Sequence, residues 1–434
     1  MTKPDASNST VATDTPKVRA ILLAAQVPGL SDHELRVSMD ELAALLKGLG
    51  IMPIGRVVQK RPEAASSWVL GAGKLEELSE LIRTHVSDDV EPPVVVFDGE
   101  LSPGQQRNLE KALEAEVFDR TEVILRVFAQ RAQTKTARLE VELARLNYEA
   151  PRARDDSSAL DTQAGGGGRG GKGHSNLELR KQLIRKRVAQ VRQELEREMG
   201  QRHTRRSRRE DTPVVALVGY TNAGKSSLMR VLTGADAYVE NQLFATLGTT
   251  VRALPDSQPR ILVADTVGFI RNLPNHLLAS FRTTLDEALD ADLLLHVVDA
   301  ADPEWRSQID VTRQVLEDVD AAHIPSLIAF NKIDRVDAET REKLAEEFPK
   351  ALLVSAHAPE DVIRIRQALE AFFEADYAEG TLEIPFAQGH LIGEIHARAR
   401  VLSQSYTADG SVLNVRAQAD LLEGWRDRLA NRRA

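Results

Sequence analysis

The sequence of 434 residues contains no cysteine. This absence excludes a disulfide framework, a thiolate nucleophile, and zinc or iron–sulfur sites that cysteine would hold. No apolar run approaches the roughly 18 residues of a membrane-spanning helix. The polar segment Met1–Pro16 also lacks the apolar region of a signal peptide. We therefore expect a soluble, cytoplasmic protein without a membrane span.

Basic residues are fewer than acidic ones overall, with 56 Lys and Arg against 65 Asp and Glu. The segment Gly165–Glu210 reverses this balance, because it holds 14 Lys and Arg but only 5 Asp and Glu. It carries a net charge of +9, and the rest of the chain carries −18. A basic arm on an acidic body is typical of a protein that contacts nucleic acid, and a solvated helix face is the alternative interpretation.

The length and the hydrophobic patterning predict a multidomain α/β protein. Short β-rich runs alternate with helical patterns in two regions, which favours parallel sheets covered by helices on both faces. The last region has the order β-α-β-β-α, which predicts a small α+β domain. The predicted boundaries are 1–16 for a disordered tail, 17–120 for a small α/β domain, 121–210 for a charged helical hairpin, 211–376 for a larger α/β domain and 377–434 for the α+β domain.

The hairpin is predicted from two helical stripes on either side of a glycine-rich segment. The first stripe, between Thr121 and Tyr148, is read as one continuous helix, and seven of the nine residues in Gly165–Gly173 are glycine. Glycine at that density cannot hold a fold by itself. We expect two antiparallel helices of about 25 residues each, and a disordered linker between unrelated helices is the alternative. The apolar residues of the two stripes are Leu139, Leu143, Leu146, Ile184, Val188, Val191 and Leu195.

The segment GYTNAGKSS matches the phosphate-binding pattern G-x-x-x-x-G-K-[ST], between a predicted strand and a predicted helix. The glycines let backbone N–H groups approach phosphate, and the helix N-terminus adds partial positive charge. Lys225 is expected to contact the β- and γ-phosphates, and the Ser226 hydroxyl to ligate Mg²⁺. The candidate nucleotide contacts are Gly219, Tyr220, Thr221, Asn222, Ala223, Gly224, Lys225, Ser226 and Ser227.

Three further motifs follow at the ends of predicted strands, where α/β proteins bind ligands. In DTVG, Asp265 can hold the metal through water, and the Gly268 N–H can sense a γ-phosphate. In NKID, the Asp334 carboxylate can accept from guanine N1–H and N2–H₂, a donor pair that adenine lacks, so GTP is favoured over ATP. The candidate contacts in these motifs and in VSA are Asp265, Thr266, Val267, Gly268, Asn331, Lys332, Ile333, Asp334, Val354, Ser355 and Ala356.

The segment FATLGTTVR lies between the first two motifs and must supply a switch threonine for Mg²⁺. Thr246, Thr249 and Thr250 all qualify chemically, and spacing alone does not choose among them. The other candidate contacts in this segment are Phe244, Ala245, Leu247 and Gly248.

Two residues bear on the mechanism. Phe269 follows DTVG where a Ras-like GTPase places its water-orienting Gln, and a phenyl ring cannot make the needed hydrogen bonds. Hydrolysis is therefore expected to be slow without an external or rearranged element. The Asn222 amide oxygen could coordinate K⁺ beside the phosphates, and bracing of the loop through backbone hydrogen bonds is an equal alternative.

These motifs resemble the HflX family of ribosome-associated GTPases, in the Obg-HflX class of P-loop GTPases. The resemblance is carried by GYTNAGKSS, LFATL, DTVGFI with the following LPNHLLASFRTTLDEA, NKID, WVLGAGKLEEL and the glycine-tipped hairpin. It implies that Thr246 binds Mg²⁺, so the expected catalytic residues are Lys225, Thr246 and Gly268. It also implies binding to the large ribosomal subunit in the GTP state and the ability to split ribosomes. Gly248 departs from the family pattern, which has Asp there.

We therefore expect a GTP-hydrolysing switch that associates with the large ribosomal subunit and dissociates or rescues stalled ribosomes. We expect a cytoplasmic monomer that also associates peripherally with ribosomes or a membrane. The alternatives are a protein-interaction switch whose hairpin is a partner-binding coiled coil, and a ribosome-assembly GTPase. The N-terminal Gly71–Lys74 is read as a helix-entry turn, with a second nucleotide site as the alternative. The candidate RNA contacts are Arg169, Lys172, Arg205, Arg206, Arg208 and Arg209.

Overall fold

The computed structural model divides into two compact units, Met1–Val127 and Phe128–Ala434. Its sheets and helices confirm the predicted multidomain α/β class. The five predicted domain boundaries stay a prediction. The structure describes residues 18–61, 69–86, 92–153, 176–206, 212–234, 244, 250–257, 260–274, 277 and 290–430.

The first unit is a four-stranded, all-parallel sheet in the order β2-β1-β3-β4. Its first helix begins at a capping box, in which the Ser31 hydroxyl accepts from the Glu34 N–H and the Glu34 carboxylate accepts from the Ser31 N–H. Gly71 precedes the second helix, and its N–H donates to Gln59 Oε1 at 2.8 Å. The elements are β1 (Val18–Gln26), α1 (Asp32–Gly48), β2 (Ile51–Lys60), α2 (Ala72–Thr84), β3 (Val94–Phe97), α3 (Pro103–Leu113), β4 (Val117–Asp119) and α4 (Arg120–Arg131), whose last four residues belong to the second unit.

The hairpin consists of α5 (Lys135–Glu149) and α6 (Asn176–Arg206). Lys135 at the start of α5 pairs with Glu198 near the far end of α6 at 2.7 Å, and Glu142 in the middle of α5 pairs with Arg187 in the first half of α6 at 2.6 Å. These pairs show that the two helices are antiparallel, as predicted. Between them lies a small apolar seam of Leu139, Val191 and Leu195.

The helix predicted to run unbroken from Thr121 to Tyr148 is interrupted, which corrects the sequence interpretation. It ends at Arg131 and a new helix starts at Lys135. The Thr134 hydroxyl accepts from the Ala137 N–H at 3.1 Å and so caps the second helix. As a result α5 has 15 residues and α6 has 31, where two arms of about 25 were expected.

The larger sheet of the second unit has the order β10-β9-β8-β5-β7-β6, and its strands are parallel except for β6. Its central strands read as continuous apolar runs because both faces are covered. Val215 and Leu217 pack on one face, and Ala216 and Val218 pack on the other. The elements are β5 (Val214–Val218), α7 (Lys225–Thr233), β6 (Thr250–Ala253), β7 (Leu262–Asp265), β8 (Leu293–Asp299), α8 (Trp305–Asp318), β9 (Ser326–Asn331), α9 (Ala338–Glu347), β10 (Leu352–Leu353) and α10 (Pro359–Glu374).

The C-terminal part is an antiparallel sheet in the order β11-β13-β12 with a separate core around Trp425. The observed element order is the predicted β-α-β-β-α. Within the described ranges, no helix has both the length and the apolar character that crossing a membrane requires. The elements are β11 (Tyr377–Pro385), α11 (His390–Arg398), β12 (Arg400–Tyr406), β13 (Gly410–Gln418) and α12 (Ala419–Ala430).

Candidate nucleotide-binding site

The loop between β5 and α7 has the backbone geometry of a phosphate cradle. Gly224 has a φ of 97°, and a Cβ placed there would lie 2.2 Å from Asn331 Nδ2, so this position requires glycine. Asn222 adopts a φ of 63°, a left-handed conformation that asparagine tolerates. The helix begins directly after the loop, so its N-terminal N–H groups and partial positive charge lie at the end of the cradle.

Lys225, the first residue of α7, holds its ammonium group inside this loop. The side chain is buried, and Nζ donates to the carbonyl oxygens of Gly219 at 3.0 Å and Tyr220 at 2.9 Å. Burial lowers the pKa of Lys225 to about 8, and the nearby Asp265 carboxylate acts in the opposite direction. The group is therefore mostly protonated at neutral pH, as a phosphate contact requires.

Asp265, at the end of β7, lies beside the start of α7. Its buried carboxylate accepts from the Ser226 hydroxyl, with Oδ2 and Oγ 2.8 Å apart. A hydroxyl and a carboxylate oxygen are hard oxygen ligands of the kind that Mg²⁺ prefers. The two predicted metal-associated residues are thus brought together, and their donor atoms fit a magnesium ion.

Gly268 approaches the phosphate loop closely. A Cβ at this position would lie 2.9 Å from Thr221 Cγ2 and 3.0 Å from Lys225 Nζ. A side chain would therefore clash with the loop and with the ammonium group, so glycine is required by close approach. This geometry places the Gly268 backbone next to Lys225.

The residues after Gly268 pair with the phosphate loop as a short parallel bridge between Tyr220 and Phe269. The Phe269 N–H donates to the Gly219 carbonyl at 3.1 Å, and the Thr221 N–H donates to the Phe269 carbonyl at 2.8 Å. The phenyl ring is buried in the core with Leu294. Phe269 therefore cannot take the role of a water-orienting residue in this arrangement.

Sequence reasoning placed Tyr220 in the phosphate loop but missed Arg271 and Glu304, whose side chains extend this connection. The Tyr220 hydroxyl accepts from the Arg271 N–H at 2.9 Å. The Arg271 guanidinium in turn lies 2.9 Å from the Glu304 carboxylate in a mostly buried ion pair. No motif marks Arg271 or Glu304, because their contacts join positions 51 and 33 residues apart in the sequence.

Asn331 joins three of the predicted segments. Its Nδ2 donates to the Ala223 carbonyl at 2.9 Å, and its Oδ1 accepts from the Ala356 N–H at 3.2 Å. The side chain is only 1% exposed, so both contacts are sheltered from water. The phosphate loop, NKID and VSA therefore meet at a single amide.

The Lys332 side chain also contacts the phosphate loop. Its Nζ donates to the Asn222 carbonyl at 2.8 Å and to the Asp299 carboxylate at 2.6 Å. Sequence reasoning did not identify Asp299, although its place at the end of the apolar run LLLHVVD was a usable signal. It also missed Asp361, whose carboxylate accepts from the Ser355 N–H at 2.8 Å.

Asp334 is exposed and lies two residues after Lys332. A hydrogen bond from the Ser355 side chain is the main cause that lowers the pKa of Asp334. The group is therefore a carboxylate at neutral pH, with acceptor oxygens at the edge of the site. This is the charge state that recognition of guanine N–H donors requires.

The structure thus brings together the phosphate loop, DTVG, NKID and VSA, and the nucleotide-contact roles of their residues stay predictions. Phe244 is buried and packs edge-to-face on Phe128, with ring centroids 4.6 Å apart. Arg205 and Arg206 lie in α6. The candidates outside the described residues are Ala245, Thr246, Leu247, Gly248, Arg169, Lys172, Arg208 and Arg209.

Comparison with known proteins identifies the family. Three family models match consecutive parts of the chain: a GTP-binding GTPase N-terminal region at 36–129, a GTP-binding GTPase middle region at 131–209 and a 50S ribosome-binding GTPase at 214–332. The GTPase HflX of Gluconacetobacter diazotrophicus is 47% identical over 440 aligned residues, which cover 93% of this chain and 96% of that protein. The chain belongs to the HflX family. The Escherichia coli GTPase HflX is 39% identical and covers 86% of this chain and 88% of its own length.

Membership of the HflX family, together with the P-loop domain, makes this chain a GTPase that hydrolyses GTP to GDP and phosphate. Among solved structures, a GTP-binding protein from Sulfolobus solfataricus in complex with GDP is similar, with 23% identity and a TM-score of 0.41 over 82% of this chain and 99% of that one.

A buried histidine in this HflX GTPase predicts a pH dependence of stability. Burial of His296 in β8 lowers its pKa to about 3, and the charges of Arg313 and Lys225 act in the same direction. Because the unfolded value is 6.5, the unfolded chain takes up a proton below that pH and the folded chain does not. The contribution of His296 to the free energy of unfolding is therefore fully present above that pH and is lost as the pH falls toward the folded pKa. We expect about 2 kcal/mol of unfolding free energy to be lost between about pH 8 and pH 5.

Hydrogen exchange of β8 peptides in a urea series, repeated across pH, measures this loss. His296→Gln keeps a polar side chain but cannot titrate, so we expect a shallower pH dependence for this variant. His390→Gln, at an exposed position, is the matched control and should keep the wild-type slope. Equal slopes in all three proteins would contradict the assignment.

Proposed function

We propose that this chain is a GTP-controlled switch that binds the large ribosomal subunit and its RNA in the GTP state. The similarity of residues 214–332 to a 50S ribosome-binding GTPase model supports this proposal. So does the net charge of +9 on Gly165–Glu210, in a chain whose remainder is acidic. Neutralisation of RNA phosphates by such an arm would supply much of the affinity.

The observation that carries the proposal is the surface of α6. Lys181, Arg185, Lys186 and Arg192 are exposed along this helix. Val191 and Leu195 of the same helix are covered by α5, and the four cations face solvent. The cations fit a phosphate backbone, whereas the exposed Leu179 and Leu183 of this helix would suit the partner-binding coiled coil of the alternative hypothesis. The proposed RNA contacts in and beside this arm are Arg169, Lys172, Arg205, Arg206, Arg208 and Arg209.

In the proposed switch, Lys225 contacts the β- and γ-phosphates and the Gly268 N–H contacts the γ-phosphate. Ser226 and Thr246 would hold Mg²⁺ directly, and Asp265 would hold it through water; the ion would neutralise phosphate charge when bound. K⁺ beside Asn222 is a further proposal. Loss of the γ-phosphate would remove the contact to Gly268 and release the segment that follows it.

Cosedimentation with purified 50S subunits tests the proposal. We expect more protein in the pellet with a non-hydrolysable GTP analogue than with GDP, and less as the salt concentration rises. Equal pelleting in both nucleotide states would contradict the switch. Pelleting that does not depend on salt would contradict the phosphate contacts.

A pair of matched variants tests the role of α6. We expect Arg185→Glu/Lys186→Glu to weaken 50S binding and to reduce the slope of log affinity against log salt by about two, one for each lost phosphate contact. The control Arg341→Glu/Lys343→Glu makes the same charge change at exposed positions of α9. Unchanged 50S binding with lost binding of a protein partner would instead favour the interaction-switch alternative.

We further propose that the bound GTP form dissociates or rescues stalled ribosomes. Sucrose-gradient analysis of 70S ribosomes incubated with the protein and a GTP analogue tests this step. The expected result is a shift of material from the 70S peak to the 30S and 50S peaks. Stable 70S ribosomes in the presence of bound protein would contradict ribosome splitting while leaving 50S binding intact.

A further inference from the structure

Thr221 is a phosphate-loop residue whose side chain has no role in the connections described above. Its backbone N–H donates to the Phe269 carbonyl at 2.8 Å, and the residue is only 5% exposed. Its hydroxyl oxygen is buried and has no hydrogen-bond partner among the residues that the structure describes. The side chain therefore carries a sheltered hydroxyl that no described residue of the chain satisfies.

A buried hydroxyl without a partner destabilises a fold by about 1–3 kcal/mol. Valine has nearly the same shape and would avoid that loss. A hydroxyl at this position is therefore best explained by a partner that is present only when the site is occupied.

The surroundings of Thr221 indicate which partner this is. A Cβ at Gly268 would meet both Thr221 Cγ2, at 2.9 Å, and Lys225 Nζ, at 3.0 Å. Thr221 thus lies next to the two groups that the proposed function places on the γ-phosphate. The ammonium of Lys225 is held by two loop carbonyls, and the ring of Phe269 is buried in the core. An ammonium has donors but no acceptor and a phenyl ring has neither, so neither side chain can accept the hydrogen bond that would orient an attacking water.

We propose that Thr221 Oγ1 positions the attacking water against the γ-phosphate of GTP. A hydroxyl can accept a hydrogen bond from water and donate one to a γ-phosphate oxygen at the same time. This pair of contacts does what a glutamine does in Ras-like GTPases. Thr221 is then a catalytic residue, and the inference rests on the assignment of this site as the GTP site.

The chemical step leaves Thr221 unchanged. The water oxygen forms a bond to the γ-phosphorus, and the bond from the γ-phosphorus to the β–γ bridging oxygen breaks. The electron pair of that bond stays on the bridging oxygen, which becomes a terminal oxygen of GDP. The protons of the water pass to the released inorganic phosphate and to solvent. The hydroxyl orients the water and does not take its proton.

Two substitutions separate the hydroxyl from the shape of the side chain. Thr221→Val removes the hydroxyl and keeps the branched shape, and Thr221→Ser keeps the hydroxyl and removes the methyl group. Single-turnover hydrolysis of GTP gives the rate, and titration with fluorescent GDP gives the affinity in the same proteins. We expect Thr221→Val to hydrolyse GTP about ten- to a hundredfold more slowly, a loss much larger than any change in its GDP affinity, and Thr221→Ser to lose much less of the rate than Thr221→Val.

Three outcomes would overturn the inference. A wild-type rate in Thr221→Val would show that the hydroxyl is not needed. Equal losses in both variants would assign the effect to shape, and a parallel loss of GDP affinity in Thr221→Val would assign the hydroxyl to the structure of the loop. Failure of the wild-type protein to bind GDP would instead refute the nucleotide site itself, so the two failures are distinguishable.

Discussion

Lys225→Ala is expected to abolish GTP hydrolysis and to weaken GTP binding by at least about a hundredfold. The ammonium group is buried at the start of α7 and is held by the Gly219 and Tyr220 carbonyls. Hydrogen bonds from a charged group contribute about 1.5–3 kcal/mol each. The ammonium has three donors, so it would exchange at least one loop carbonyl for a phosphate oxygen and make two bonds to the phosphates. Phosphate release and titration with a fluorescent GTP analogue measure the two effects.

Truncation of a buried lysine also leaves a cavity, so a second variant is needed. Lys225→Met keeps most of the side-chain volume and removes the charge, and we expect the same loss of activity from it. Lys343→Ala is the control, because Lys343 is exposed and pairs with Glu339 on α9. Unaltered GTP turnover in Lys225→Ala and Lys225→Met would refute the phosphate-loop assignment.

The sheet of the second unit could be predicted from sequence because each central strand reads as an apolar run. The run VVALV became β5 and LLLHVVD became β8. Both faces of these strands are covered, so nearly every residue along them is apolar and the strand is visible in the sequence as a continuous apolar run. The motifs follow these runs, and parallel strands bring their ends to one edge. That is why the convergence of four motifs could be expected from their order alone.

The contacts that fix the site could not be predicted in the same way. Asn331 reaches the Ala223 carbonyl across 108 residues of sequence, and Lys332 reaches Asn222 across 110. Such contacts depend on side-chain directions that only the folded chain sets. One local feature was also missed. The Thr134 hydroxyl caps a new helix and so marks a break in the helix that was predicted to be continuous.

The sequence alone also did not identify which threonine of FATLGTTVR binds Mg²⁺. Spacing left three threonines open, and the choice of Thr246 came from the family resemblance. Thr250 lies in β6, while Thr246 and Thr249 lie outside the described residues. The assignment of Thr246 therefore stays a prediction that substitution must test.

Asp334→Asn is expected to relax the preference for guanine and to favour xanthine nucleotides. The hydrogen bond from Ser355 holds the pKa of Asp334 low, so the wild-type group offers two anionic acceptors to the guanine N1–H and N2–H₂. An amide offers one acceptor and one donor, and that pair matches xanthine, which carries a carbonyl where guanine carries its amino group. Loss of the charge-assisted pair costs about 3 kcal/mol, or roughly a hundredfold in GTP affinity.

Competition between GTP and xanthosine triphosphate in the hydrolysis assay measures this change. Asp337→Asn is a matched control, because it removes the same charge three residues away at the N-cap of α9, where Asp337 accepts from the Thr340 N–H. We expect this control to keep the cap, since asparagine accepts the same N–H as well as aspartate does, and to keep the preference for GTP. The outcome that would contradict the assignment is an unchanged GTP preference in Asp334→Asn, because the base would then be recognised by other groups.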